Sequence, residues 1–158
     1  MNQEYIDIFV NTSIDSLRES MDIQVEKGES KELAHSTKVE GVVVIIGITG
    51  DLEGRIIYEL ELATALKIAE AMNYEPFEVL DDLARSTISE LANIMAGRTI
   101  SAINDRGIKI MISPPVLLTG KDMKTSDRMS EIHCITLESN LGVIGINLAL
   151  MSLVATKH

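Results

Sequence analysis

The chain has 158 residues, of which 46% are hydrophobic and only three are proline, so a buried core is expected and a disordered chain is excluded. Its formal net charge of −10 argues against binding to nucleic acid or to an anionic membrane, because both are bound through basic patches. Cys134 is the single cysteine, which excludes an intramolecular disulfide and fits a reducing compartment.

Two further features bear on localisation. No apolar stretch reaches the roughly 20 residues that span a bilayer, and residues 1–5 lack the basic start of a signal peptide. We therefore expect a cytoplasmic protein, folded as one domain over residues 1–158.

The start of the chain predicts a helix and then a loop. Apolar residues recur through residues 3–21 at the spacing of a helix that packs on one side. Residues 26–36 are polar and include Gly28 and Ser30, which indicates a loop or a hairpin end. His35 lies there without a second metal ligand at a useful spacing, so we expect a solvated side chain.

A pair of strands follows. Residues 38–48 are rich in β-branched side chains in a continuous apolar run, which predicts a strand buried on both faces. The turn at residues 49–54 contains two glycines and returns the chain into a strand at residues 55–60. This turn lacks the Gly-Lys-Ser/Thr ending of a phosphate-binding loop and precedes a strand, so a hairpin with a bulge is the better interpretation.

The second half of the chain predicts two helices and three further strands. The helices are expected at residues 61–72 and 77–104, and the strands at residues 108–113, 130–138 and 142–150. Residues 116–129 are interpreted as a longer connection. The elements together predict an α/β (α+β) domain with a mainly antiparallel sheet flanked by long helices.

The predicted helix at residues 77–104 has two different faces. At about 100° per residue, Ser86, Glu90, Asn93 and Gly97 fall within a wedge of roughly 60°. The opposite side is apolar and carries Leu80, Ala84, Ile88, Leu91, Ala92 and Met95, with Ile94 at its margin. A glycine inside a helix costs about 1 kcal/mol relative to alanine, which indicates that another backbone comes close to Gly97.

The spacing Ser-x3-Glu-x2-Asn-x3-Gly in this helix resembles the signature of the chemotaxis phosphatases of the CheC, CheX and FliY type. The resemblance extends upstream to TGDLEGRII at residues 49–57 and ELATAL at residues 61–66, and downstream to ISPPV at residues 112–116. It covers residues 41–121 well, and the order of these segments looks most like CheX.

The resemblance implies a fold, an activity and a site. The substrate would be a CheY-like response regulator phosphorylated on an aspartate, with Mg²⁺ in the regulator's own site and no cofactor in this chain. Asn93 would orient the attacking water, and Glu90 would pair with a lysine of the regulator. Ser86 and Gly97 would support the motif, and the protein would be a homodimer joined through its sheets.

Other chemistry finds less support in the sequence. His133 and Cys134 are adjacent on a predicted strand and point to opposite faces, so they cannot form a catalytic dyad, and Cys134 is expected to be a small core residue. No His and Cys spacing typical of a metal site is present. A non-catalytic module that binds a response regulator or resembles a flagellar switch protein remains an alternative. So does a small-molecule hydrolase using Glu90, which would need a deep pocket.

Overall fold

The computed structural model describes residues 3–33, 36–126 and 131–152. Its helices are α1 (Gln3–Met21), α2 (Leu62–Asn73) and α3 (Asp82–Asn104). Its strands are β1 (Val25–Leu33), β2 (Ser36–Gly50), β3 (Leu52–Leu60), β4 (Ile110–Ile112), β5 (Val116–Ser126), β6 (Ile132–Ser139) and β7 (Gly142–Ser152). His35, expected in a loop, lies outside the described residues.

The described strands form one seven-stranded sheet, and its antiparallel pairing agrees with the mainly antiparallel sheet that the sequence predicted. Its order is β1-β6-β7-β3-β2-β4, and β5 also pairs with β2. The two predicted hairpins are confirmed: β2 pairs with β3 around Ile45 and Ile57, and β6 pairs with β7 around Leu137 and Ile144. Only these two of the six described strand pairings join strands that are consecutive in sequence, and the other four join strands separated along the chain.

The main core lies between one face of the sheet and the three helices. Alternate residues of each central strand point into it, as the two-residue period of a strand requires. In β2 these are Val42, Val44, Ile46 and Ile48, which are each no more than 1% exposed. None of the described helices has the length and apolar character needed to cross a membrane.

A smaller apolar cluster covers part of the other face of the sheet. It consists of Val39, Val43 and Ile57, with Ile45 and Met123 packed against them. The register of β2 shifts between Val39 and Gly41, where Gly41 has a φ of 89° and a Cβ would lie 2.3 Å from the backbone oxygen of Leu60. Only glycine fits there, and burial of β2 on both faces is confirmed at Val43.

Two predicted connections are strands in the structure. Residues 26–36 were expected to form a loop or a hairpin end, but β1 runs through most of them and pairs with β6. Residues 116–129 were expected to form a connection, but β5 occupies residues 116–126 and pairs with β2. Both are edge strands with few buried side chains, so they lack the apolar alternation by which strands are recognised, and charged residues protect such edges.

The third helix begins later than predicted. Residues 77–81 do not form helix, and Asp81 is the N-cap of α3. Its carboxylate accepts a hydrogen bond from the backbone N–H of Ala84 at 2.9 Å. Aspartate competes for backbone N–H groups in this way, which favours a helix start over a helix interior. Leu80 still packs against the core although it precedes the helix.

Candidate functional site

The rotation of α3 is fixed by its buried face. Ala84, Ile88, Leu91, Ala92 and Met95 are each no more than 2% exposed, which confirms the predicted apolar side of this helix. The last four of these residues belong to the main core between the sheet and the three helices. Because this face is closed, the opposite face of α3 is held toward the solvent.

Polar contacts attach α3 to both neighbouring helices. On the α1 side, the hydroxyls of Thr12 and Thr99 lie 2.6 Å apart. On the α2 side, Nδ2 of Asn73 donates a hydrogen bond to Oγ1 of Thr87 at 2.8 Å. Each contact is at least partly buried, where a satisfied hydrogen bond contributes about 1 kcal/mol. The helix is therefore anchored along its length.

Ion pairs add to the α1–α3 contact at the surface. Arg98 of α3 pairs with Glu19 of α1, and in the turn after α3 Nε of Arg106 donates to Oε1 of Glu4 at 2.8 Å. The Arg98 guanidinium hydrogen-bonds the Glu19 carboxylate and holds its pKa below the usual value, while Glu19 raises the pKa of Arg98. Both pairs are exposed to solvent, so their effect on stability is small.

The predicted site residues share the exposed face of α3. Ser86 and Glu90 are exposed, and Asn93 and Gly97 are half-buried. Glu90 and Asn93 are three residues apart, so their Cβ atoms lie about 5–6 Å from each other on one side of the helix. Within the part of the chain that the structure describes, no hydrogen bond or ion pair engages either side chain. Both polar groups are thus available to a partner.

The position of Gly97 is uncrowded among the described residues. A Cβ added at this position would meet nothing within 4 Å among the described residues. The expectation that a neighbouring helix of the same chain comes close is therefore wrong for this part of the structure. Approach of a partner's backbone is the other reason that the sequence suggested.

The face around Glu90 is not an enclosed pocket. A cleft of about 640 Å³ opens beside Arg18 and Asn140, and smaller clefts of about 360–430 Å³ lie along β2 and β5. Neither Glu90 nor Asn93 lines any of these four clefts. An exposed helix face suits a macromolecular partner better than a small substrate, which is usually enclosed.

The structure also brings together a group that the sequence did not indicate. One ligand atom from each of Glu32, Glu131 and His133 lies within 4.8 Å of the others. Glu32 pairs with His133 across β1 and β6, and Nε2 of His133 is 3.6 Å from Oε2 of Glu131. The group forms because β1 pairs with β6, which is distant in sequence. It could have been predicted only from the register of that strand pair. A protonated His133 would form an ordinary ion pair there, and none of the three residues belongs to α3.

Cys134 does not form a catalytic pair with His133. It is half-buried on β6, so the predicted core position is only partly correct. Burial raises the pKa of its thiol, which lowers its reactivity. Its neighbour His133 follows the alternation of the strand and points to the opposite face of the sheet.

Comparison with known proteins identifies the family. The chain matches the family model described as chemotaxis phosphatase CheX over residues 42–138. The CheY-P phosphatase CheX of Thermotoga maritima is 31% identical over 125 residues, which cover 78% of this chain and 81% of that protein. This chain belongs to the CheX family. The family predicted from the α3 motif and its flanking segments is thereby confirmed.

Solved structures of CheX proteins have the same fold. CheX in the CheX–CheY–BeF3–Mg²⁺ complex from Borrelia burgdorferi superposes with a TM-score of 0.82 and 28% identity, covering 94% of this chain and 98% of that one. CheX from Desulfovibrio desulfuricans superposes with a TM-score of 0.83 and 20% identity, covering 94% of this chain and 99% of that one. The predicted CheC/CheX-like fold is confirmed.

Proposed function

We propose that this protein is a cytoplasmic phosphatase that hydrolyses the aspartyl phosphate of a CheY-like response regulator. The observation that carries the proposal is the exposed face of α3, where Glu90 and Asn93 stand side by side without partners among the described residues. The names of the CheX relatives support it, since one is a CheY-P phosphatase and another was solved with CheY.

Asn93 orients the attacking water in this proposal. Hydrolysis of an acyl phosphate needs a water held in line with the leaving carboxylate oxygen and little covalent help from the enzyme. A carboxamide suits this task because its oxygen accepts and its nitrogen donates hydrogen bonds. The water attacks phosphorus, the bond to the aspartate oxygen breaks, and inorganic phosphate and a free aspartate result. No nucleophile from this chain is consumed.

Glu90 aligns the two proteins. Its carboxylate pairs with a lysine of the regulator close to the phosphorylated aspartate. A charged hydrogen bond in a partly desolvated interface is stronger than a neutral one, so this pair contributes to both docking and alignment. Ser86, one turn before Glu90 on the same face, supports the contact, and Gly97 lets the regulator's backbone approach α3.

The metal belongs to the regulator in this proposal. Mg²⁺ neutralises charge on the phosphoryl group in the regulator's own site, as the composition of the Borrelia burgdorferi complex suggests. This chain needs no cofactor of its own, because Glu90 and Asn93 act by position and hydrogen bonding alone.

A homodimer joined through the sheets completes the proposal. Large apolar side chains are exposed on the β4 and β5 edge of the sheet, at Met111, Val116 and Leu118. An exposed sheet edge with apolar side chains favours pairing with another chain. Sedimentation velocity should give a dimer that Leu118→Lys weakens. A monomer at micromolar concentration would remove this part of the proposal.

The phosphatase activity can be tested directly. A CheY-like receiver is acyl-phosphorylated with a small phosphodonor in the presence of Mg²⁺, and phosphate release is followed with and without this protein. We expect acceleration that is lost in Asn93→Ala and retained in Asn11→Ala, an exposed asparagine of α1. Binding of the receiver without any acceleration would instead support the non-catalytic binding module.

A further inference from the structure

Three large apolar side chains are exposed near the start of α3. Tyr74 is 93% exposed, Val79 is 66% exposed and Leu83 is 47% exposed. Single exposed apolar residues are common and need no explanation. These three, however, lie within ten residues of one another and next to the face that carries Glu90.

Leu83 is in line with the proposed catalytic residues. It precedes Glu90 by seven residues, which is close to two helical turns, so both point in nearly the same direction. With a rise of 1.5 Å per residue, the two positions are about 10.5 Å apart along α3. Ser86 lies between them on the same face. A partner that reaches Glu90 and Asn93 from the solvent therefore passes over Leu83.

Tyr74 is held beside the same turn of α3. Asn73, the residue before it, donates its hydrogen bond to Thr87, and Oγ1 of Thr87 in turn donates to the backbone oxygen of Leu83. Tyr74 ends α2 with a φ of 58°, a left-handed conformation that bulky residues rarely adopt. The contact between Asn73 and Thr87 thus holds the end of α2 against the first turns of α3, and the ring of Tyr74 is exposed at that end.

Acidic residues surround these apolar side chains. Glu75, Glu78, Asp81 and Asp82 are all exposed and flank Val79 in the sequence. The nearby cation Arg85 pairs with Asp82 at 3.2 Å, and both partners of that pair are open to solvent. An apolar centre with a charged rim is the usual composition of a protein–protein interface.

We propose that Tyr74, Val79 and Leu83, with the acidic residues around them, form a docking surface for the receiver domain of the phosphorylated regulator. This inference rests on the proposed function and extends its site toward the start of α3. The receiver would supply apolar side chains at the centre and lysine or arginine at the rim. A standard interface covers about 800 Å² of each partner, so a patch about 10.5 Å from Glu90 falls within one footprint.

The position of the surface favours the receiver over a second copy of this chain. A second copy seated on Leu83 would also cover Glu90, only two turns away, and would exclude the substrate. The exposed apolar residues at the β4 and β5 edge offer a separate surface for self-association. The acidic rim also suits a basic partner better than another chain with a net charge of −10.

The test compares Leu83→Gln and Tyr74→Asn with Val143→Gln, a control on β7 whose side chain is 49% exposed. Asparagine tolerates the left-handed conformation of Tyr74, so that variant should fold. For each docking variant we expect KM for the phosphorylated receiver to rise about tenfold while kcat stays the same, since interface anchors of this kind carry much of the affinity. Val143→Gln should leave both constants unchanged.

A salt series tests the acidic rim. Raising the salt concentration should raise KM of the wild type, and this dependence should be weaker in Glu78→Gln. A KM within twofold of the wild type in both docking variants would overturn the inference. Conversion of the dimer to monomer by these variants in sedimentation velocity would also overturn it, because a second copy would then be the occupant.

A binding assay separates this inference from the phosphatase proposal. The affinity of a beryllofluoride-activated receiver is measured by calorimetry, which needs no catalysis. Suppose that the wild type binds this receiver but does not accelerate phosphate release from the phosphorylated receiver. If Leu83→Gln and Tyr74→Asn weaken the binding, the docking surface stands and the phosphatase proposal fails. Equal binding by the wild type and both variants contradicts the docking surface whatever the activity.

Discussion

The two faces of α3 differ in burial and in role. On one face, Ile88, Leu91 and Met95 are each 2% exposed and close the core against the sheet. On the other, Glu90 is exposed and Asn93 half-buried, with no partner among the described residues. The residues that hold the helix in position are therefore different from those available for chemistry.

Under the proposed function, the burial of one face of α3 fixes the position of the residues on the other face. A group that orients a water gains its effect from being held accurately, since small displacements lose much of the rate. A side chain on a helix packed against a sheet is held more accurately than one on a loop. The buried face of α3 thus provides the rigidity that the exposed face uses. Substitutions on the two faces should have separable effects.

The largest effect is expected on the buried face. Leu91→Ala should lower the free energy of unfolding by about 2–5 kcal/mol, because it leaves a cavity where the core cannot fully relax. Urea denaturation followed by circular dichroism measures this change. At a temperature where the variant remains folded, phosphatase activity should be retained. A loss of less than about 1 kcal/mol would contradict the assignment of this face to stability.

The second largest effect is expected on the exposed face of α3, and it concerns the rate of phosphate release. Asn93→Ala should reduce the rate of phosphate release by about 10²-fold, which corresponds to about 2.7 kcal/mol of activation free energy. Its free energy of unfolding should be no lower than that of the wild type, because no hydrogen bond from the described residues is lost and alanine favours the helix. A variant that unfolds as readily as Leu91→Ala would show that the two faces are not separable.

Gly97 offers a smaller and more selective test. Gly97→Ala should raise the free energy of unfolding by about 1 kcal/mol, since alanine favours the helix and its Cβ would meet nothing within 4 Å. If the regulator's backbone approaches this position, the same variant should weaken receiver binding. Greater stability with weaker binding in one variant would sharpen the division between the faces. Unchanged binding would remove Gly97 from the docking contact.

The smallest effect concerns the surface pair at the border of the anchored face. Arg98 lowers the pKa of Glu19 in the folded state, so this carboxylate stabilises the fold above its unfolded pKa. That contribution is lost as the pH falls through the lowered value. Glu19→Gln should therefore be slightly less stable than the wild type at neutral pH, and the gap should close in acid. Thermal unfolding across a pH series measures it; a constant gap would contradict the pairing.

The sequence predicted the core strands and helices well because their patterns reflect burial. The apolar side of α3 and the β2–β3 and β6–β7 hairpins follow directly from residues that face the main core. The edge strands β1 and β5 were missed because their stability comes from backbone pairing, which leaves little trace in side-chain type. The start of α3 was misplaced because the apolar pattern already includes Leu80, whereas the helix begins only after its N-cap at Asp81.

The candidate site could be predicted only in part. The spacing of Ser86, Glu90, Asn93 and Gly97 indicated a shared face, because four positions on one helix need no knowledge of tertiary structure. The proposed docking role of Tyr74 could not be predicted in the same way, since it depends on the contact that holds the end of α2 against α3. The grouping of Glu32 with His133 likewise depends on strand register.

The most direct test of the account separates rate from affinity at the two motif residues. Single-turnover phosphate release is measured at saturating protein for Asn93→Ala and Glu90→Ala, together with the Kd of each for the beryllofluoride-activated receiver. We predict that Asn93→Ala loses about 10²-fold in the saturated rate while its Kd changes little, and that Glu90→Ala has a clearly raised Kd. A wild-type saturated rate in Asn93→Ala would contradict the claim that its amide orients the water.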